Sequence, residues 1–111
     1  MMVLGLDTSC YTTSAALAGE GGRWISRRKL LPVPAGERGL RQSEALFAHV
    51  KQLPELAEAL MAQTEEPIGA VCASVSPADG DDSYMPVFLA GAGLGRSLAA
   101  ALRVPFWTTT H

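Results

Sequence analysis

The chain has 111 residues, of which 48% are hydrophobic and 18% charged, and its formal net charge is −2. This length suits one domain with a sizeable core, and the near-neutral charge gives no signal of a general polyanion binder. The two cysteines match no metal-binding spacing, and we see no secretory leader and no apolar run long enough to span a membrane. We therefore expect a reduced, cytoplasmic protein.

The first element is a hairpin around a polar turn. Residues 3–6 are an apolar run that predicts a strand buried on both faces, and residues 12–18 predict a second strand. Asp7 stands at the exit of the first strand and is followed by hydroxyl-bearing residues. Hydroxyls and backbone amides can bind a phosphate, while a carboxylate holds a metal ion or its water shell. The alternative is a plain hairpin with ordinary turn residues.

The middle of the chain changes from strand to helix. Residues 23–31 predict a third strand, and residues 32–39 form a loop rich in proline and glycine. From Leu40 to Met61 the apolar residues recur at helical spacing, but Pro54 interrupts the pattern. Because proline removes a helix hydrogen bond, we expect a kink or two consecutive helices there.

The last third contains two further strands and a second helix. Residues 68–75 predict an interior strand, residues 86–102 a helix and residues 104–108 a fifth strand. The order β-β-β-α-β-α-β predicts a mixed five-stranded α/β sheet, the ribonuclease H-like arrangement. Two such lobes form the actin-like ATPase (ASKHA) architecture, so we expect residues 1–111 to be one lobe.

Other groups give weaker signals. Three glycines in the second helix favour close helix packing over a nucleotide loop. Three aspartates favour a solvated loop over a cation site, because the remaining ligands of a calcium loop are missing. A cluster of basic residues predicts either a solvated surface or a patch that faces nucleic acid. The glycines are Gly91, Gly93 and Gly95, and the aspartates are Asp79, Asp81 and Asp82. The basic cluster consists of Arg23, Arg27, Arg28, Lys29, Arg38 and Arg41.

The two histidines differ in position. His49 lies in the first helix near its apolar face and is interpreted as a packing or surface residue. His111 follows a strand, at the sheet edge where open α/β sheets bind ligands. Cys10 could pair with either histidine as a nucleophile, but the sequence does not show that they meet.

The opening motif resembles that of a known family. Val3-Leu4-Gly5-Leu6-Asp7-Thr8-Ser9-Cys10-x-x-Thr13 is similar to the start of the TsaD/Kae-type proteins, Gly-Ile-Glu-Thr-Ser-Cys-Asp-(Asp/Glu)-Thr, long labelled glycoproteases or O-sialoglycoprotein endopeptidases. Leu53-Pro54-Glu55-Leu56 and the Gly-Arg-Ser-Leu-Ala stretch at residues 95–99 continue the likeness. It covers the whole chain, but only the first of the family's two lobes.

The resemblance implies a role in forming threonylcarbamoyladenosine in tRNA. In that reaction the threonylcarbamoyl group moves from its adenylate to an adenosine, at a metal of iron or zinc type. By the same resemblance Asp7, Thr8, Ser9 and Cys10 would form the phosphate-side turn, and His111 would be a metal ligand. ATP or the adenylate and the metal would belong to the two-lobed parent, and we expect this lobe alone to bind neither and to be inactive.

The implied partners are a second, C-terminal lobe, a further copy or a TsaB-like protein, and tRNA, with no membrane. Two departures indicate a divergent paralogue: Tyr11 stands where the family has an acid, and residues 74–80 lack its Gly-Pro-Gly loop. Two other functions therefore stay open. One is a non-catalytic TsaB-like scaffold that dimerises through helix faces. The other is a peptidase, for which the sequence shows no catalytic constellation.

Overall fold

The computed structural model of the protein describes residues 1–36, 39–77 and 86–110. Within these ranges it contains five strands and two long helices, in the order that the sequence predicts. They are β1 (Met2–Asp7), β2 (Thr12–Ala18), β3 (Trp24–Leu30), α1 (Gln42–Met61), β4 (Ile68–Ser76), α2 (Phe88–Leu102) and β5 (Phe106–Thr110). A 3-10 turn at Glu20–Gly22 joins β2 to β3.

The described strands form one mixed sheet in the order β3-β2-β1-β4-β5. β1, β2 and β3 pair antiparallel, while β1 with β4 and β4 with β5 pair parallel. The predicted interior position of β4 is confirmed, because it has a neighbour on each side. The carboxyl ends of three parallel strands therefore meet at one edge of the sheet, where Asp7 lies opposite Ser14 and Ser74 opposite Thr109.

In the described part of the chain, helices cover only one face of this sheet. Leu4 and Leu6 of β1 are buried against the helices, while Val3 is 40% exposed and Gly5 and Asp7 are partly exposed. The prediction that β1 is buried on both faces is therefore wrong. Its apolar run predicted a strand correctly, but burial depends on which face the helices cover, and this is not encoded within β1 itself.

Helix α1 runs without interruption through Pro54, so the alternative of two separate helices is wrong. Pro54 is exposed, as is Val50, whose carbonyl it leaves without a helix hydrogen bond. Because both residues are exposed, that carbonyl can be satisfied by water, which explains how the proline is tolerated.

Helix α2 packs tightly at two of its three glycines. A Cβ at Gly95 would lie 2.9 Å from Cε1 of Phe106, and a Cβ at Gly91 would lie 3.1 Å from Oγ1 of Thr8. Gly93 has no neighbour within 4 Å of such an atom. Close packing therefore explains Gly91 and Gly95, as predicted, but it does not explain Gly93. Neither described helix is long and apolar enough to cross a membrane.

Candidate functional site

The polar turn at the end of β1 is held by its own first residue. Asp7 is partly buried, and its Oδ1 accepts a hydrogen bond of 2.8 Å from the backbone N–H of Ser9. This carboxylate-to-backbone bond is an Asx turn, which bends the chain sharply after the strand. Asp7 therefore has a fixed position at the carboxyl edge of the sheet.

Thr8 is buried and uses its hydroxyl inside the protein. Its Oγ1 donates to the carbonyl of Val87 at 2.8 Å and accepts from the N–H of Gly91 at 3.0 Å. These two backbone groups belong to the start of α2, which has no side-chain cap of its own. Thr8 thus caps this helix from another element and anchors the turn, so its hydroxyl positions the site and does not itself face a ligand.

Ser9 and Cys10 complete the turn. Ser9 is 5% exposed, and its carbonyl accepts from the N–H of Thr12 at 3.4 Å. Cys10 is exposed and has a φ of 48°, in the left-handed region that residues other than glycine rarely adopt. The structure therefore brings together the four residues of the predicted turn. Their role in binding a phosphate stays a prediction.

A buried polar network supports this turn from α1. Nδ1 of His49 lies 2.8 Å from Oγ1 of Thr13, and Nε2 lies 3.1 Å from the carbonyl oxygen of Cys10. Gln52 donates to the same Thr13 oxygen at 3.0 Å and towards the carbonyl of Lys29 at 3.4 Å. His49 is fully buried, so the alternative of a surface residue is wrong. Burial lowers its pKa, against the opposing effects of the Cys10 carbonyl and the Asp7 charge.

A concavity of about 500 Å³ lies beside Asp7 on the open face of the sheet. Its polar lining includes Asp7, Ser14, Arg28, Ser74 and Thr109. The Ser74 hydroxyl is buried and has no hydrogen-bond partner among the described residues. One carboxylate, the guanidinium groups of Arg27 and Arg28 and several hydroxyls thus surround a space that could take a small polar or anionic group.

Ser14, Ser74 and Thr109 were not predicted as site residues, and Arg28 was predicted only as part of the basic cluster. Ser74 and Thr109 could have been found from the parallel pairing of β4 and β5, because their strand ends adjoin Asp7. Arg28 reaches the site only through the register of β3 against β2, where it lies opposite Ser14. That register is not readable from an isolated strand.

Tyr11 does not take the place of a second acid at the turn. Its side chain is 43% exposed, and its hydroxyl accepts from the N–H of Leu40 at 3.3 Å. The hydroxyl oxygen lies close above Gly39, where an added Cβ would approach it to 2.6 Å. Tyr11 therefore fastens the loop before α1 to the hairpin.

The described residues do not provide a metal centre. Across residues 1–36, 39–77 and 86–110, no three histidine, cysteine or acidic side chains lie together. His111, the predicted metal ligand, and the acidic residues Asp79, Asp81 and Asp82 lie outside the described residues. The donor set needed for a metal of iron or zinc type is thus not met by the described side chains.

The topology defines the class of fold. An antiparallel three-stranded meander extended by two parallel crossover strands, with the polar turn after β1, is a ribonuclease H-like lobe of the actin-like ATPase type. The predicted fold class is confirmed.

Curated relatives identify the family that this lobe resembles. The chain is 30% identical over 113 residues to the "tRNA N6-adenosine threonylcarbamoyltransferase" of Pyrobaculum calidifontis, covering 99% of this chain and 32% of that protein. It is 31% identical over 114 residues to the protein of the same name from Granulibacter bethesdensis, covering 98% and 30%. The chain is thus similar over its whole length to TsaD/Kae-type proteins, as its opening motif indicates. It spans about a third of the length of these relatives.

Solved structures agree on the fold. YeaZ from Pseudomonas aeruginosa matches 98% of this chain and 43% of its own, with a TM-score of 0.67 and 21% identity. An uncharacterised protein described as similar to peptidase YeaZ from Pseudomonas aeruginosa gives a TM-score of 0.68 at the same identity and coverage. No protein-family model matches the chain.

Proposed function

We propose that this chain forms the first lobe of a protein that transfers a threonylcarbamoyl group to an adenosine of tRNA. The observation that carries the proposal is the similarity of nearly the whole chain to two relatives that are named for that activity. The chain keeps the hairpin and polar turn that open such a lobe, and it folds as one.

The turn suits the phosphate side of ATP or of an adenylate. Asp7 lies at the carboxyl edge of the sheet, fixed by its bond to the Ser9 N–H. A carboxylate there can bind Mg²⁺, or water around it, and so hold a nucleotide whose phosphates share that cation. Arg28 and the hydroxyls of the adjoining concavity add cationic and hydrogen-bonding groups for an anionic substrate.

A catalytic metal is part of the proposal only through His111. When bound, an iron or zinc ion would polarise the carbonyl that is transferred. The described side chains do not form its donor set. The role that we propose for the described residues is binding and orientation. Asp7 and the turn would hold the nucleotide, and Thr8 would keep the turn against α2.

The experiment is transfer of labelled threonine to tRNA. The full-length natural protein would be incubated with tRNA, ATP, bicarbonate, labelled threonine and an enzyme that makes threonylcarbamoyl adenylate. We expect label in adenosine of the tRNA, and none in a tRNA with that adenosine replaced. If the adenylate forms and no label reaches the tRNA, the proposed activity is wrong.

A second candidate, a scaffold that associates through its helices, rests on a different surface. Phe47, Val50 and Leu89 are 65%, 52% and 50% exposed. A groove of about 300 Å³ between α1 and α2 is lined by apolar residues. These are Val50, Leu53, Pro54, Leu89, Ala90 and Leu94. An exposed apolar face of this kind fits a second copy or a similar lobe.

The mass in solution tests this candidate. If the helix face associates, Val50→Glu should convert a dimer to a monomer, because it places a charge in an apolar contact. Val33→Glu is the matched control, since Val33 is 39% exposed and lies in the loop after β3. A monomeric wild-type protein with no affinity for a TsaB-like partner would contradict the scaffold function.

A further inference from the structure

We propose that His49 is a positioning residue that fixes the Cys10 carbonyl and so sets the shape of the Asp7–Cys10 turn. The relevance to ligand binding rests on the proposed function, in which this turn meets the phosphates. The structural role of His49 can be tested without any ligand. His49 lies on α1, 39 residues from Cys10 in sequence, so the turn is held by an element outside its own hairpin.

The hydrogen bonds around His49 have a defined direction. Both ends of the network are backbone carbonyls, at Lys29 and Cys10, and a carbonyl can only accept. Gln52 therefore directs its N–H groups to Lys29 and to Oγ1 of Thr13. The Thr13 hydroxyl must then donate to Nδ1 of His49, which leaves the ring proton on Nε2 to donate to Cys10.

This direction fixes the tautomer of a neutral imidazole. Every donor in the network has an acceptor, and each polar atom of His49 is used. A protonated ring would also carry a proton on Nδ1, facing the Thr13 hydroxyl that now donates to it. Thr13 would then lose its acceptor in a buried site, which is unfavourable.

The charged surroundings of His49 are consistent with the neutral form. Asp7 is the charged group that acts on it from the hairpin, and it favours protonation. β3 contributes only the Lys29 backbone carbonyl to the network, and the neighbouring Gln52 on α1 is uncharged. Burial outweighs the attraction of Asp7 and lowers the pKa of His49.

The turn needs such support because the backbone of Cys10 has a left-handed conformation. A φ of 48° places the Cys10 side chain close to its own backbone, a conformation that persists only where surrounding contacts enforce it. The Asp7–Ser9 bond holds the start of the turn, and the Thr12–Ser9 bond of 3.4 Å is long. The His49 bond at 3.1 Å holds the carbonyl of the strained residue itself.

The test compares three variants by NMR of the ligand-free protein. His49→Leu removes the donor, His49→Gln keeps an N–H near the position of Nε2, and Thr13→Val removes the hydroxyl that directs the ring. In His49→Leu we expect the amide of Thr12 to exchange with solvent about tenfold faster, since one hydrogen bond is lost. Amides of the central strand β4 serve as the internal reference. His49→Gln should restore most of the protection.

The protonation of the His49 ring nitrogens distinguishes the positioning role from a role in packing alone. Nitrogen-15 spectra should show the wild-type ring protonated at Nε2 alone, and a mixture of tautomers in Thr13→Val. Unchanged Thr12 exchange in His49→Leu, or a ring protonated at Nδ1 in the wild type, would overturn the positioning role. If His49→Leu does not fold, Thr13→Val and His49→Gln still decide the question.

The binding consequence is measured separately. In the full-length protein, His49→Leu should lower the affinity for Mg·ATP about tenfold, and His49→Gln should leave it near the wild-type value. If the turn loosens and ATP affinity does not change, the phosphate role of the turn is wrong while the positioning role of His49 stands. If neither changes, the positioning role is wrong.

Discussion

The hydroxyl of Thr8 joins the end of β1 to the first turn of α2 by accepting from the N–H of Gly91 at 3.0 Å. The same hydroxyl donates to the carbonyl of Val87 at 2.8 Å. In an α-helix the N–H of residue 91 would bond to the carbonyl of residue 87 directly. Thr8 is inserted between these two groups, so the polar turn and the helix start share one buried hydroxyl.

This link predicts a selective loss of stability. Thr8→Val keeps the shape of the side chain and removes the hydroxyl, which leaves a buried N–H without an acceptor. We expect the free energy of unfolding to fall by about 1–3 kcal/mol in urea denaturation. Thr8→Ser keeps the hydroxyl and should lose less. Equal stability of Thr8→Val and the wild type would show that the bond contributes nothing.

Alanine substitutions at two glycines of α2 should change the stability in opposite directions. Gly93→Ala adds a methyl group where nothing lies within 4 Å, so the better helix propensity of alanine should raise the stability by about 1 kcal/mol. Gly95→Ala brings its methyl to 2.9 Å from the Phe106 ring and should lower it by about 1–3 kcal/mol. Thermal unfolding of both variants decides this, and a stabilising Gly95→Ala would contradict the packing.

The buried histidine predicts how stability depends on pH. The pKa of His49 is lowered in the folded protein from an ordinary value of 6.5. As the pH falls below about 6.5 the unfolded chain binds a proton at this residue before the folded one does. The free energy of unfolding should therefore be highest above that pH and decrease as the pH drops towards the folded pKa.

Urea denaturation at about pH 7.5 and about pH 5.5 measures this decrease. His49→Gln is the control, because it removes the titrating group and should flatten the dependence in this range. Glu66, whose pKa is lowered mainly by its hydrogen bond from Arg23, contributes at more acidic pH. An equally steep dependence in His49→Gln would assign the effect to another group.

Much of the fold could be predicted because its signals are local. Hydrophobic periodicity and turn residues predicted all five described strands and both helices, and the order of these elements predicted a mixed five-stranded sheet. The open face could not be predicted from β1, because burial of Val3 depends on where α1 and α2 lie. Gly93 and Gly95 look equivalent in sequence, yet only Gly95 faces the sheet.

The candidate site was predicted in position but not in its internal bonds. Asp7 followed an apolar strand, so its place at a sheet edge was readable. The partners of Thr8 lie 79 and 83 residues away, and the His49–Cys10 contact spans 39. Contacts of that separation arise from tertiary packing and leave no local pattern.

Binding of ATP by the full-length protein and its Asp7→Asn variant tests the central claim most directly, namely that the Asp7–Cys10 turn is the phosphate side of a nucleotide site. Asparagine keeps an oxygen for the Ser9 N–H and removes the charge. In calorimetry, Asp7→Asn should lower the affinity for Mg·ATP by about tenfold or more, because the side chain no longer carries the charge that holds the cation. ATP without Mg²⁺ should bind to Asp7→Asn at least as tightly as to the wild type. Equal affinity of both proteins for Mg·ATP would contradict the claim.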